Sequence, residues 1–216
     1  IESTDEDNRT IANLTANWTI ITDEILDVTD EIILWFINGI EQTGFFNQKT
    51  ISAKNTTKNE NWSFRISIHD GIAWSEQISS QNITIENSIP NITYFEFPSS
   101  AVNVNDDVVC YFTITDNDNE TLSINFTWFN NSGAGQTPPL STPRFSGTKS
   151  VSNGSVENIT LSSAETSYDE LYWQCQITPL DEEANGTPVL SLDIPIGNNF
   201  PRTTKPNLIT SSIENY

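Results

Sequence analysis

One pattern occurs twice in this chain. Thr22-Asp23 through Trp35-Phe36 and Thr115-Asp116 through Trp128-Phe129 share an Asp-to-Trp spacing of twelve, and each continues into a polar turn, Asn38-Gly39 or Asn130-Asn131-Ser132-Gly133. Further on, Trp62-Ser63-Phe64-Arg65-Ile66 and its run to Asp70 match Trp173-Gln174-Cys175-Gln176-Ile177 and its run to Asp181, position for position. A pattern that recurs at this distance means one topology built twice, and 216 residues are enough for two domains of ordinary size. Around the matched segments lie short period-two apolar runs, divided by clusters of Asn, Asp, Gly, Ser and Pro, with no sustained helical period. The expected fold is therefore all-β. Six Trp, eleven Phe and five Tyr supply large apolar side chains for two small cores.

Cys110 and Cys175 are the only cysteines and form no CxxC pattern, which leaves a single structural disulfide or two buried thiols. The order Cys110, Trp128, Cys175 is the order of an immunoglobulin-like sandwich, with Cys110 on the second strand, Trp128 on the third and Cys175 on the sixth. A bridge there closes a long loop, worth about 4 kcal/mol in the chain-entropy model, and requires an oxidising compartment. The first copy has Phe64 where the second has Cys175, so it relies on packing alone. Trp173 stands two residues before the second cysteine in place of the antibody-type tyrosine, so the expectation is a generic immunoglobulin-like module.

Asparagine carries the second strong signal. Chance pairing of 25 Asn with 49 Ser and Thr would give about six N-x-S/T acceptors, and the chain has thirteen. They begin at Asn8, Asn13, Asn17, Asn55, Asn61, Asn82, Asn91, Asn119, Asn125, Asn130, Asn153, Asn158 and Asn185. Seven have an apolar middle residue: Leu14, Trp18, Trp62, Ile83, Ile92, Phe126 and Ile159. On a strand such a triplet points its middle residue inward and leaves the Asn and its hydroxyl partner outside. Covalent N-glycans on the solvent faces of the sheets are expected, with Asn185 the weakest acceptor because Pro188 follows Thr187.

The segments ILWFINGIEQ (33–42) with WSFRISIHDG (62–71), and FTWFNNSG (126–133) with YWQCQITPLD (172–181), resemble the tandem immunoglobulin-like repeats of archaeal cell-surface and filament proteins. The resemblance covers nearly the whole chain. It implies an extracellular structural role and, for filament members, subunits joined by a strand given to a neighbour.

Catalysis finds no footing. His69 is the only histidine, placed just before the Asp70-Gly71 turn signal, and no GxSxG, HExxH or phosphate-gripping glycine loop occurs. Neither an enzyme nor a cofactor is expected. A net charge of -20 repels phosphate backbones and anionic lipid, and no run of about 18 apolar residues exists, so nucleic acid and membrane insertion are set aside. If the chain is secreted, Ile1 is a mature N-terminus. The loop Asp116-Asn117-Asp118-Asn119-Glu120 alternates oxygen ligands as calcium prefers, yet Thr121 and Thr127 break the EF-hand template, so a solvated acidic turn competes with a calcium site at Asp116, Asp118 and Glu120. Asp23-Glu24 and Asp181-Glu182-Glu183 are comparable turns.

The ends of the chain complete the expectation. Domain 2, over 89–197, opens with Pro90-Asn91-Ile92-Thr93-Tyr94, whereas domain 1, over 1–88, opens with a polar stretch from Glu2 to Arg9 and lacks its own first strand. Residues 198–216 form a linker and a spare strand, where Pro206-Asn207-Leu208-Ile209-Thr210 resembles the Pro90 opening. Two functions fit. One is a head-to-tail homopolymer whose Leu208, Ile209 and Ile213 complete domain 1 of the next copy; the other is a fragment of a multi-repeat adhesin or surface-layer protein. A free lectin-like module has only exposed aromatics such as Trp74 in its favour.

Overall fold

A computed structural model describes residues 1–20, 28–118, 120–131, 143–166 and 172–197. These form two β-sandwiches in succession. In the first, β1 (Glu2–Ser3), β2 (Leu14–Thr15) and β5 (Thr50–Ile51) make one sheet in the order β1-β2-β5. The facing sheet has β3 (Asp30–Ile37), β4 (Ile40–Glu41), β6 (Asn61–His69) and β7 (Ile78–Ser79) in the order β4-β3-β6-β7, with β8 (Ile83–Thr84) also on β6. In the second, β9 (Asn91–Glu96), β11 (Val108–Thr115) and β14 (Val156–Leu161) run β14-β11-β9. Against them lie β10 (Val102–Asn103), β12 (Leu122–Asn131), β13 (Pro143–Val151), β15 (Tyr172–Leu180) and β17 (Ile194–Gly197) in the order β10-β17-β15-β12-β13, with β16 (Val189–Leu190) also on β15. The repeat is legible in the register: Trp35 pairs Phe64 as Trp128 pairs Cys175, and Trp62 pairs Ile83 as Trp173 pairs Ile194.

Period-two patterning drives both cores. Along β6, Trp62, Phe64 and Ile66 turn inward between exposed Asn61 and Arg65, and along β14, Ile159 and Leu161 do the same. The β3–β4 hairpin turns through Asn38 and Gly39, both at positive φ (50° and 79°), the backbone that a two-residue type I′ loop demands. Trp35 and Trp62 meet edge to face in the first core, centroids 5.9 Å apart, and their indole N–H groups donate to the Gln48 carbonyl (2.7 Å) and to Glu60 Oε2 (2.9 Å).

Cys110 and Cys175 are disulfide-bonded across the second sandwich, beside fully buried Trp128. Leu14 pairs Ile51 as Val108 pairs Leu161, and five residues after each partner a buried Thr56 or Thr166 donates its hydroxyl three residues back, to the Ala53 or Ser163 carbonyl. Ala16 is thereby the counterpart of Cys110, and Phe64 of Cys175. The first domain thus sets a small side chain against a large one, both buried, where the second has a covalent bridge.

The polar opening of the chain does more than the sequence reading allowed. Glu2–Ser3 pair with Leu14–Thr15, Ile1 packs on the core, and Arg9 bridges Glu86 in parallel as Asn103 pairs Gly197 in the second domain. A forked ion pair holds this segment in place, with Arg9 Nε and Nη2 donating to Asp5 at 2.9 and 2.7 Å. Backbone pairing recruits even polar residues once a partner edge is in reach. No described strand pairs with residues 17–20.

Candidate functional site

The unpaired stretch from Asn17 to Ile20 borders an open groove in domain 1. In domain 2 the same stretch is occupied: β9 pairs with β11, placing Phe95 opposite Phe112 and Ile92 opposite Ile114. By the register above, Trp18 is the counterpart of Phe112 and Ile20 of Ile114. The groove runs between residues 17–20 and the β7–β8 edge, with Trp18, Phe64, Ile66, Ile78 and Ile83 on its walls and Ile20, Ile68 and Ser75 at one mouth. Ile20 and Ile78 are exposed, and no described strand lies along residues 17–20 as β9 lies along β11. Trp18 is held in place, 6.4 Å from the Phe64 ring with the Lys49 ammonium 5.0 Å from its own centroid.

A free β-edge above an apolar floor is a receptor for an extended peptide, since the edge offers backbone hydrogen bonds and the floor takes alternate side chains. Of Trp18, Trp35 and Trp62, only Trp18 lines the groove; Trp35 and Trp62 are sealed in the core. Ile78 and Ile83 were missed, because the edge to which they belong is set by pairing with distant β6. The expected donor residues Leu208, Ile209 and Ile213 lie outside the described residues, as do Asn119, Asp23 and Glu24.

The acidic loop sits at the joint between the domains. Lys58 of domain 1 reaches into it, its Nζ pairing with Glu120 and donating to Glu183 Oε1 (2.8 Å) and Asn87 Oδ1 (3.2 Å). Asn87 Nδ2 donates to Asp181 Oδ2 (2.9 Å), the Ser88 N–H to Asp118 Oδ2 (2.6 Å), and the Asp118 N–H to Asp116 Oδ1 (2.6 Å). Asp118 is thus spent on the linker backbone. Among the described residues no three carboxylate, His or Cys side chains converge on a point fit for a metal ion; the cation at this loop is the Lys58 ammonium. The bond to Glu183 raises the Lys58 pKa, and burial raises that of Asp116.

Ten of the thirteen acceptor asparagines are exposed: Asn13, Asn17, Asn55, Asn61, Asn82, Asn91, Asn125, Asn153, Asn158 and Asn185. Asn8 and Asn130 are half-buried. Of the seven apolar middle residues, Leu14, Trp62 and Ile159 are buried and Trp18, Ile83, Ile92 and Phe126 half-buried, each after an exposed asparagine, while the hydroxyl partners Thr15, Ser63, Thr84 and Thr127 are half-buried. His69 lies beside Trp74, its Nδ1 accepting from the Gly71 N–H at 3.0 Å, in a hairpin and not in a cleft.

No protein-family model matches the sequence, and no curated protein is significantly similar to it. Among solved structures, the chicken interferon gamma receptor alpha chain is similar at 8% identity and a TM-score of 0.49, covering 89% of this chain and 96% of that one. A two-domain fibronectin type III segment of chicken tenascin is similar at 10% identity and 0.41, covering 88% and 94%. The fibronectin(III)-like modules of Clostridium thermocellum CbhA are similar at 12% identity and 0.33, covering 87% and 85%. No described helix is long and apolar enough to cross a membrane.

Proposed function

We propose that this chain is the structural subunit of an extracellular glycoprotein filament, polymerising head to tail when residues of about 206–216 enter the domain 1 groove of the next copy. The observation that carries the reading is the stretch 17–20, paired with no described strand, beside a groove that Trp18, Phe64, Ile66, Ile78 and Ile83 line together with polar side chains from Ser79 to Asn82, at the place where domain 2 has β9. The tail repeats the β9 opening: aligning Pro206 with Pro90 sets Leu208 at the place of Ile92, Ser211 at Phe95 and Ile213 at Phe97. Leu208 would then face Ile20, and small Ser211 would face large Trp18 where domain 2 sets Phe95 against Phe112. Eleven extended residues span about 36 Å, ample for such a strand. Because donor and groove differ, the contact is heterologous and propagates. The acceptor residues Asn17 and Asn82 both lie on the groove.

Deleting residues 206–216 is expected to give monomers that form no fibres, and a synthetic tail peptide is expected to bind them. Fibres that persist without the tail would end the proposal. A second reading, a piece of a longer adhesin or surface-layer array, is favoured by the likeness of Pro206-Asn207-Leu208-Ile209-Thr210 to a domain opening. Under it, the isolated chain forms no fibres and the tail peptide finds no seat in domain 1.

A further inference from the structure

The outer face of the β14-β11-β9 sheet sets one acceptor asparagine apart from the others. Tyr111 is exposed between buried Cys110 and Phe112, and Asn158 is exposed beside buried Ile159, so both stand on the solvent face. The register places them directly opposite each other. Other strand acceptors face small or buried residues: Asn61 faces Thr84, Asn91 faces Thr115, Asn125 lies between Thr148 and Thr178, and Asn130 faces buried Trp173. Asn158 alone among these has an exposed aromatic ring across from it.

That ring belongs to a larger apolar patch. Tyr94 pairs Thr113, which sets it diagonal to Tyr111 and within an aromatic side chain's reach, and Val156 pairs the same Thr113 from the other side. Tyr94 and Tyr111 are each 42% exposed and Val156 66%, while Thr113 between them is buried. The Tyr94 hydroxyl bonds to the carboxylate of Glu96, the residue opposite Tyr111 on its other flank. Three large apolar side chains thus share one solvent-facing surface around Asn158. The Asn158 carbonyl accepts from Lys149 Nζ (2.8 Å), and its side chain makes no hydrogen bond among the described residues.

We infer that the first sugar of an Asn158 glycan packs on the Tyr111 ring, with Tyr94 and Val156 extending the platform, so that covalent carbohydrate covers this face of domain 2. This rests on the glycoprotein part of the reading above. Directly opposite strand residues hold their Cβ atoms about 5 Å apart, so a sugar joined to the Asn158 amide nitrogen starts its path beside the ring. A pyranose has a face made largely of C–H groups, which suits the negative face of an aromatic ring. Because the sugar is already tethered, the contact costs no translational freedom. It forms only in the folded domain, since Tyr111 and Asn158 are distant in sequence, and the apolar surface it removes from water therefore stabilises the fold.

The test uses the full glycosylated chain. Asn158→Gln should lower the melting temperature of domain 2 by about 4 °C, the shift that one such contact gives a domain of this size. In a Tyr111→Thr background the same substitution should change nothing, because threonine keeps the strand and offers no ring. In proton NMR of the intact chain, the Asn158-linked sugar should resonate upfield of its position in the released glycopeptide, and Tyr111→Thr should return it there. Equal losses in both backgrounds, or unshifted sugar protons in the wild-type chain, overturn the contact and leave glycosylation standing; the wild-type NMR comparison needs no substitution to fold. A bare Asn158 in glycopeptide mass spectrometry overturns the contact, and a chain bare at every acceptor overturns the glycoprotein reading as well. Association of the Asn158→Gln chain that Tyr111→Thr abolishes, at an unchanged melting temperature, assigns the face to a second copy and also overturns the contact.

Discussion

Single residues decide how each domain is held together. The second domain gains its Cys110–Cys175 bridge across a separation of 65 residues, so Cys175→Ser should cost about 4 kcal/mol. Thermal unfolding should place that loss in domain 2 and leave domain 1 unchanged, since Ala16 and Phe64 do the same work by packing. Intact mass with and without reduction should find no free thiol in the native protein. Asn153 is bound through the nitrogen that a glycan would need: its Nδ2 donates to the Asp116 carbonyl (2.7 Å) and its Oδ1 accepts from the Asp116 N–H (3.1 Å), whereas Asn13 and Asn61 use Oδ1, accepting from the Ala53 N–H and the Thr84 hydroxyl. Glycopeptide mass spectrometry should find Asn153 less occupied than Asn13, Asn61 or Asn158, although the sequence alone singled out Asn185. Asp5 is held at a pKa of about 2 by its bonds to Arg9, below the ordinary carboxylate value. Its depressed pKa favours the folded state above the ordinary value, and that contribution is lost as pH falls through about 2. A carboxyl NMR titration should show the opening segment loosening in that window and not near pH 4.

At the scale of elements, the proposed strand donation takes its expected register from the bulge-containing pairing of β9 with β11, in which Ile92 faces Ile114 and Phe95 faces Phe112. Side chains alternate between faces, so a slip of one residue turns Leu208 away from the floor. With Ile20→Cys and Leu208→Cys in one chain, oxidation should link successive subunits covalently into ladders on a denaturing gel; Ile20→Cys with Ile209→Cys should not. Ladders from the second pair alone would mean another register. Trp18→Ala should weaken peptide binding more than it weakens domain 1, because this ring lines the groove while Trp35 and Trp62 carry the core.

For the whole molecule, Lys58 ties the two sandwiches together at their joint. One ammonium faces Glu120 and Glu183, with Asp118 and Asp181 close enough to add to its raised pKa. Removing one partner of a largely buried pair leaves the other charge uncompensated. Lys58→Ala should therefore broaden the interdomain angle in solution scattering and separate the two melting transitions. Asp116 acts with the opposite sign, since burial first and the neighbouring Asp118 and Asp181 next raise its pKa. Its contribution favours folding below the ordinary carboxylate value and is lost as pH rises through the raised one. Asp116→Asn should accordingly raise the melting temperature at pH 7, with the gain vanishing under acid.

Two sandwiches, the Cys110–Trp128–Cys175 arrangement and the outward asparagines of the N-x-S/T triplets were all legible in the sequence. Each rests on a short-range rule: the alternation of a strand, the chemistry of a turn, or one pattern repeated. The order β1-β2-β5 was not legible, because residues as polar as Glu2 and Ser3 enter a strand only when Leu14–Thr15 present an edge. Nor was the groove, whose walls come from residues 17–20, β6 and the β7–β8 edge, far apart in the chain. Nothing in the sequence marks Lys58, which becomes the centre of a joint through Asn87, Glu120 and Glu183. Burial and pairing between distant segments depend on which edges the packed sheets leave free, and that was decided by the tertiary structure alone.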